Sequence, residues 1–425
     1  MMKLAVIFES SPFDRKGLFN AVHNRVKHLL ATGECTIDVF CVHSRDNAFT
    51  RRVRHTPEVP SVDETVVDAI RYRLLWYRFS ILDNVLLEKL HVRPWLFRRF
   101  MESHVDLLKG YDAVIAHSFC GGLFALAAHE RFGVPYYVTW HGSDVHTHPW
   151  RVPVILEDTR AVMESARCNF FVSRALLEAS EKIISNARKE VLYNGVSEDF
   201  VKYSLEDRAA VRERYGLAPE DKVVAFVGNI VKVKNVLSLP EIFAQVAKGY
   251  DGPLKFWIIG DGKLRKPLEA TMDLSFRPNE VSGEISFFGN QPSPAMPDIM
   301  NCIDVLVLPS LNEGLPLVCA EALSCGAAVV GSDVGGIAEV IGKDNVVPLV
   351  VPNDTDTFPG FPSGPLICTG QEMGNSGRPY DDSFVNGMTE KVVAALTGQS
   401  PFQTLPADIS WARTAALELS ILKSL

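Results

Sequence analysis

The chain reads as an α/β protein of two domains, each built on a parallel sheet. Three observations predict this. Its 425 residues are more than one small core organises. Short apolar runs recur along it, each followed by a loop and then a helical pattern, which is how parallel strands alternate with crossover helices. The alternation also restarts: after a helical segment at Leu205 to Tyr215, a fresh apolar run begins at Lys222 to Gly228.

Composition narrows the class. With 47% hydrophobic and 22% charged residues, the chain is an ordinary globular protein. No apolar run approaches the roughly 20 residues of a membrane span. Met1 to Phe8 lacks the basic start and cleavage site of a signal peptide, which predicts a cytoplasmic enzyme. Eight cysteines are scattered without a Cys-x-x-Cys pair and read as buried thiols. The net charge of −8 is uneven, about +1 over residues 1–200 and about −9 beyond, which argues against nucleic acid as a partner.

In the first half, Lys3 to Phe8 is the first strand, and the loop Glu9 to Gly17 leads into an amphipathic helix from Phe19 to Leu30. Thr36 to Val42 is the second strand. From Arg45 to Phe100, arginines interleave with Trp76, Tyr77, Phe79, Trp95, Phe97 and Phe100. That mixture suits either an anionic membrane surface or a pair of amphipathic helices whose rings are core. Tyr111 to His117 is a strand leading into a small-residue loop, Gly121-Gly122, and a helix to Arg131. Val134 to Asp144 is the next strand with its carboxyl-end loop, followed by strand ends at Asn169 to Ser173 and Val191 to Val196. All eleven histidines lie in residues 1–148, and His141, His146 and His148 gather near Asp144. They span a loop without the converging spacing of a zinc site, so no metal is expected.

In the second half, the loop after Lys222 to Gly228 carries Asn229, Lys232 and Lys234. Phe256 to Gly262 is a buried strand ending in Gly-Asp-Gly, which lacks the full dinucleotide fingerprint. Ile285 to Asn290 is another strand. Val305 to Leu308 ends in the turn-rich loop Pro309 to Pro316, a helix runs on to about Cys325-Gly326, and Ala328 to Val330 completes a strand-loop-helix-strand unit. Glu313 then sits at the carboxyl end of a parallel strand, where open sheets bind ligands, and Glu321 about one turn inside the helix. Backbone amides around Leu315 to Val318 can take an anionic group. The segment from Pro352 to Ser383 reads as a long loop, including Asp354-Thr355-Asp356, before the helix Val385 to Leu396.

These motifs carry a resemblance. Glu313-Gly314-Leu315-Pro316 with Glu321 resembles the Glu-Gly-Leu-Pro-(x)4-Glu signature of the retaining glycosyltransferases of family 4, and Asp333 to Glu339 resembles that family's next loop, a Gly-Gly followed by a helix carrying Glu. Thr139 to Gly142 is similar to its strand ending in Thr-x-His-Gly, and Tyr193 to Val196 to its Asn-Gly-Val. The resemblance implies the GT-B fold of two facing Rossmann-like domains with parallel sheets. It divides the chain into an acceptor domain at 1–198, a nucleotide-sugar domain at 199–408, and a terminal helix at 409–425 that crosses back to the first domain.

The resemblance further implies a metal-independent, retaining transfer of a sugar from a nucleotide-diphosphate donor to an acceptor alcohol, in polysaccharide or glycolipid synthesis, with no cofactor. A lipid-linked glycan is one acceptor class, presented at the inner face of a membrane. His141 matches the family's active-site histidine, Glu313 would hold the transferred sugar, and Glu321 the ribose. Gly314, Leu315, Pro316 and Leu317 would line the donor site, with Asn290 and Gln291 near the nucleobase. Two departures stand out. Asn229 replaces the arginine of the phosphate clamp and leaves Lys234 as its cation, so the guanidinium fork is lost. Lys16-Gly17 replaces a Gly-Gly, leaving Gly17 to admit the phosphates. A nucleotide-sugar epimerase of the same fold and a non-catalytic nucleotide-sugar-binding subunit are the alternatives.

Overall fold

The computed structural model describes residues 1–13, 17–44, 60, 62–78, 81–276, 283–349, 379–401 and 403–424. It forms two compact units. Among the described residues the first gathers Met1–Gly195 with the segment from Ser410 onward, and the second gathers those of 196–349 and 379–409.

The first unit is built on eight strands: β1 (Met2–Glu9), β2 (Cys35–Ser44), β3 (Glu64–Val67), β4 (Ile70–Tyr77), β5 (Ala113–His117), β6 (Tyr136–Trp140), β7 (Cys168–Phe171) and β8 (Lys189–Val191). Their order is β3-β4-β2-β1-β5-β6-β7-β8, parallel throughout except for the β3–β4 hairpin. Leu4 to Phe8 and Ala113 to His117 are buried at every position, because helices cover both faces of a parallel sheet.

Two expectations are corrected here. The described residues of the arginine-rich stretch form a hairpin, β3 and β4, before the helices Ile81–Leu90 and Trp95–His104. On β4 the apolar Tyr72 and Leu74 are buried while Arg71 and Arg73 alternate with them, and Arg73 approaches Glu64 at 3.6 Å and Asp38 at 3.8 Å. The interleaving is thus, in part, the period of two of a half-buried strand. Arg51, Arg52, Arg54 and Phe79 lie outside the described residues. Gly121-Gly122, in turn, is not a loop. Both lie inside the helix Ser118–Phe132, where a Cβ on Gly121 would come within 2.4 Å of the Ile7 carbonyl oxygen and one on Gly122 within 2.6 Å of Val162. Gly121 lets this helix press against β1, and Gly122 lets it press against the helix Pro153–Ser165.

The last helix, Trp411–Ser424, belongs to the first unit and packs on the helix Gly17–Ala31. Gly195 admits its first turn, since a Cβ there would lie 2.0 Å from the Trp411 nitrogen. Thr414 Oγ1 donates to the Tyr193 carbonyl at 2.6 Å. At the centre of the contact Arg25 Nε donates to Glu418 Oε2 at 2.5 Å, with both side chains almost fully buried.

The second unit holds β9 (Lys222–Val227), β10 (Leu254–Ile259), β11 (Glu284–Gly289), β12 (Val305–Leu308), β13 (Ala328–Ser332) and β14 (Val346–Val347), in the order β11-β10-β9-β12-β13-β14, all parallel. From β9 the chain winds outward to β10 and β11, then returns to the other side of β9 for β12. The direction of winding reverses between β9 and β12, so the carboxyl ends of these two strands border the crevice in which such sheets bind ligands. The helix after β12 spans Leu317–Ser324, as the apolar pattern predicts. The helix Asp382–Leu396 starts three residues before its predicted Val385, on an Asp381 cap that accepts from the Phe384 amide at 3.0 Å. Asp354, Thr355 and Asp356 lie outside the described residues. The seven described cysteines are free and buried.

Removing one partner of a buried ion pair strands the other charge, at about 3–5 kcal/mol. Glu418→Ala should lower the unfolding free energy of the first unit by about that much, and Arg25→Met/Glu418→Leu should recover most of the loss. Urea unfolding followed by circular dichroism measures both; equal losses in the single and double variants would show that the pair is not what seats the terminal helix.

Candidate functional site

In the second unit, four loops at the carboxyl edge of the sheet, those after β9, β10, β12 and β13, converge because glycines let their backbones touch. After β9, Gly228 takes φ +153°, and Gly260, after β10, sits so close that a Cβ on it would lie 2.0 Å from the Gly228 carbonyl oxygen. Gly262 bears on the Ile230 carbonyl in the same way, at 2.3 Å. On the other side, Gly335 follows β13 with φ +53°, and its Cβ would lie 1.9 Å from the Glu313 carbonyl oxygen. Only glycine tolerates both that conformation and that contact. The Gly336 amide donates to the Gly314 carbonyl at 3.0 Å, and the Leu311 amide to the Val233 carbonyl at 2.8 Å, which ties the loop after β12 to both neighbours.

Lys234 ends a 3-10 turn, Lys232–Lys234, whose following residue Asn235 is buried with φ +49°. Its Nζ meets Glu313 Oε1 at 2.5 Å, and Ser310 Oγ donates to the same oxygen at 2.7 Å. Ser310 is fixed in turn by Ser332 Oγ, which donates to its carbonyl at 2.5 Å. A cation and a carboxylate from either side of the winding reversal thus share one place. Glu321, one turn into the helix Leu317–Ser324, differs. Burial pushes its carboxyl up to about 7, and no cation or donor among the described residues offsets this. Gly314 is half-buried, and Leu315 and Pro316 are buried at the helix entry.

Asn229 is exposed in the same loop as Lys234, and Lys232 is exposed as well. Asn290 is exposed after β11, at the far edge of the sheet, and Gln291 Nε2 donates back to the Phe288 carbonyl at 2.7 Å. Neither belongs to the Lys234–Glu313 cluster. Gly17, in the first unit, is exposed at the start of the helix Gly17–Ala31, and Lys16 lies outside the described residues.

The first unit gathers its own constellation at the carboxyl ends of β5 and β6. His141 follows β6, and its Nε2 is hydrogen-bonded to Nδ1 of His117, the last residue of β5, at 3.0 Å. Asp144 caps the turn. Its carboxylate accepts from the His141 amide at 3.0 Å and the Gly142 amide at 2.8 Å. Burial and then the nearby charge of Arg25 bring the His141 imidazole down to about 3, and the same causes hold His117 well below the usual histidine range. Both rings are therefore neutral at physiological pH. Sequence reasoning missed His117 as His141's partner and the role of Asp144; the signal lies in register, since His117 aligns with Thr139 two residues before His141. No metal-binding group of three or more His, Cys, Asp or Glu occurs among the described residues.

With this geometry in hand, the comparisons with known proteins become specific. Residues 221–359 match the family model described as "Glycosyl transferases group 1", and residues 17–195 match "Glycosyl transferase 4-like domain". The chain is 30% identical over 233 residues to the protein assigned as teichuronic acid biosynthesis glycosyltransferase TuaC of Bacillus subtilis (strain 168), covering 55% of the chain and 56% of the relative. It is 27% identical over 239 residues to N-acetyl-alpha-D-glucosaminyl L-malate synthase of Bacillus anthracis, covering 56% and 59%. The chain thus matches a little over half the length of these curated relatives. Among solved structures, sucrose-phosphate synthase from Thermosynechococcus elongatus superposes with a TM-score of 0.66 at 17% identity, over 100% of the chain and 95% of that protein. Anabaena Alr3699/HepE in complex with UDP-glucose superposes with a TM-score of 0.61 at 16% identity, over 100% of each. At these identities the likeness establishes the fold.

Glu321 has an ordinary pKa of 4.5 and about 7 in the folded protein. The folded state therefore holds this proton more tightly, and the stability linked to it is full below pH 4.5 and is lost as pH rises through 7. Glu321→Gln should match the parent in melting temperature at pH 4 and exceed it at pH 8. Thermal unfolding at the two pH values checks this, and identical curves at pH 8 would place the carboxylate in water.

Proposed function

The chain belongs to the group 1 glycosyl transferases and has the GT-B fold, and from that premise we propose that it moves a sugar from a nucleotide-diphosphate donor to an acceptor hydroxyl, with retention of anomeric configuration, in the synthesis of a cell-surface polysaccharide or glycolipid. The observation that carries the reading is the meeting of Lys234 and Glu313 beside Glu321, where β9 and β12 part.

In this reading the second unit binds the donor. The amides that open the helix Leu317–Ser324 and the ammonium of Lys234 meet the diphosphate, whose negative charge grows as the anomeric C–O bond breaks. Asn229 supplies no charge, so Lys234 bears the role alone. Glu321 accepts hydrogen bonds from the ribose hydroxyls, for which a half-buried carboxyl without a protein partner is suited. Glu313, steered by Lys234 and Ser310, accepts from a hydroxyl of the transferred sugar.

The first unit binds the acceptor and presents His141. A neutral imidazole held by His117 can donate or accept a hydrogen bond at a sugar hydroxyl without adding charge. In the transfer, the acceptor oxygen bonds to the anomeric carbon on the face the diphosphate leaves, a departing phosphate oxygen takes the acceptor proton, and the nucleoside diphosphate and glycoside are released. No enzyme nucleophile enters, and the protein acts by position and field.

A membrane-borne acceptor fits the surface of the helices Ile81–Leu90 and Trp95–His104. Leu90, Val92, Trp95 and Leu96 are exposed there, with Arg93, Arg98 and Arg99 among them. Among the described residues no helix is long and apolar enough to cross a membrane. Cosedimentation with anionic vesicles should fall as salt rises; binding that is absent, or indifferent to salt, would remove the membrane from the reading.

A carboxylate–hydroxyl hydrogen bond is worth about 1.5–3 kcal/mol, roughly tenfold to a hundredfold. Glu321→Ala should weaken both the nucleoside diphosphate and the intact donor by that factor, whereas Glu313→Ala should spare the nucleoside diphosphate and lower kcat/KM for transfer. Calorimetry and product assays separate the two. Loss of nucleoside diphosphate binding in a folded Glu313→Ala protein would overturn the assignment, and an altered sugar still on its nucleotide, formed without acceptor, would make the protein an epimerase.

A further inference from the structure

The first unit contains a cavity of about 880 Å³ that the proposed chemistry leaves unused. Its walls are mostly apolar, with Leu87, Phe97, Met101, Leu123 and Ala127 among them. This volume falls in the range that encloses a drug-sized molecule. The helix Trp95–His104 forms one side and has no buried residue of its own. It is held at the rim by rings: Phe97 and Phe100 pack against Tyr77 and Phe124.

One end of the cavity adjoins the His141 loop. Phe119 and His148 line it, their rings 4.8 Å apart. Phe119 immediately follows Ser118, whose hydroxyl is hydrogen-bonded to Asp144, the residue that caps His141. Glu9 lies at the end of β1, one residue past the position aligned with His117, and its carboxyl also lines the cavity. Tyr77 donates to Glu9 Oε1 at 2.5 Å, and the Cys120 thiol is hydrogen-bonded to the same carboxyl. A carboxyl group has about four lone-pair sites on its two oxygens, so two donors leave acceptor capacity for a ligand hydroxyl.

Charge and continuity specify the occupant. Four arginines line the cavity, Arg93, Arg98, Arg131 and Arg151, against four carboxyl residues, Glu9, Glu102, Glu130 and Asp158. Arg93 is ion-paired with Asp158 at 2.8 Å, Arg98 with Glu102 at 3.0 Å and Arg131 with Asp106 at 3.2 Å, so the lining offers no net positive charge to an anionic ligand. Its apolar wall, meanwhile, continues outward into the exposed Trp95 and Leu96 beside Pro94 and Phe97.

We propose that this cavity holds the apolar tail of an uncharged amphiphilic alcohol, the acceptor, entering past Trp95 and Leu96 and resting its polar end between Glu9 and the His141 loop. Naming the ligand an acceptor rests on the glycosyltransferase reading; the existence of the site does not.

The test measures binding without donor. Octyl β-glucoside below its micelle concentration should bind saturably by calorimetry, and glucose, which lacks the tail, should not. Ala127→Trp and Leu123→Trp, which fill the cavity from the helix Ser118–Phe132, should each weaken octyl glucoside at least tenfold while nucleoside diphosphate binding to the second unit stays as in the parent. Glu9→Gln should weaken it severalfold, as a hydrogen-bond partner at the polar end. Equal octyl glucoside binding by the parent and both folded tryptophan variants would overturn the proposal. So would binding to vesicles alone with none to the soluble amphiphile, which would reduce the region to a surface. Because no donor is present, failure here is distinct from failure of the donor site, which Glu321→Ala reports.

Discussion

The contact of backbone against backbone at glycines is the constraint on which the donor side depends. Gly260 lies on the Gly228 carbonyl, Gly262 on that of Ile230, and Gly335 on that of Glu313, each at a separation no side chain would permit. Parallel strands set about 4.8 Å apart bring their following loops near one another but do not make them touch. The glycines close that remaining distance. Once closed, the 3-10 turn bearing Lys234 and the loop bearing Glu313 are cross-braced by Leu311 on Val233 and Gly336 on Gly314, and the ammonium and carboxylate meet without either loop being free to drift.

Burial then gives chemically similar groups different characters. Glu313 and Glu321 belong to one loop and helix, yet the first is met by a lysine and a serine while the second has only desolvation acting on it. In the first unit the same effect works on bases: His117 and His141 are neutral because they are buried and Arg25 is near. Burial raises Asp144, the amides and hydroxyl it accepts from offset only part of that rise, and its carboxyl group braces the His141 turn. Each unit thus carries its own set, an unpartnered and a paired acid in the second and two neutral imidazoles in the first, and burial rather than residue type separates their characters.

Arg25 links this electrostatics to architecture. It lies over the Phe170 ring at 5.6 Å, pairs with Glu418 of the last helix, and depresses both histidines. Other polar atoms of the pair, Arg25 Nη1 and Nη2 and Glu418 Oε1, are buried without a hydrogen-bond partner. Such a pair stabilises little over an apolar pair of the same shape, but it penalises any other seating of the terminal helix, because each charge has only the other to answer it.

Much of the fold was legible in the sequence because burial on both faces of a parallel sheet writes itself as an apolar run: Leu4 to Phe8, Ala113 to Ala116, Val223 to Val227 and Val305 to Leu308 contain nothing that could face water. Glu313 was singled out for a related reason, since it follows such a run at a strand's carboxyl end where open sheets bind ligands, whereas Lys234 and His141 were singled out by the family resemblance of their loops. The hairpin β3–β4 was not, because a half-buried strand alternates, and Arg71-Tyr72-Arg73-Leu74 on β4, next to the edge strand β3, carries the same letters whether the rings meet a core or a membrane. Gly121-Gly122 was misread because a glycine pair signals a turn locally, and only the Ile7 carbonyl lying where a Cβ would be explains it within a helix. The sequence by itself thus determined the strands buried on both faces, the order of the units and the positions from which polar groups are offered. Tertiary structure decided which of those groups meet: Lys234 with Glu313 across 79 residues, His117 with His141 across 24, Arg25 with Glu418 across 393. Such meetings depend on where separate strands and helices come to lie in space, and hydrophobic periodicity, a property of neighbours along the chain, holds no record of that.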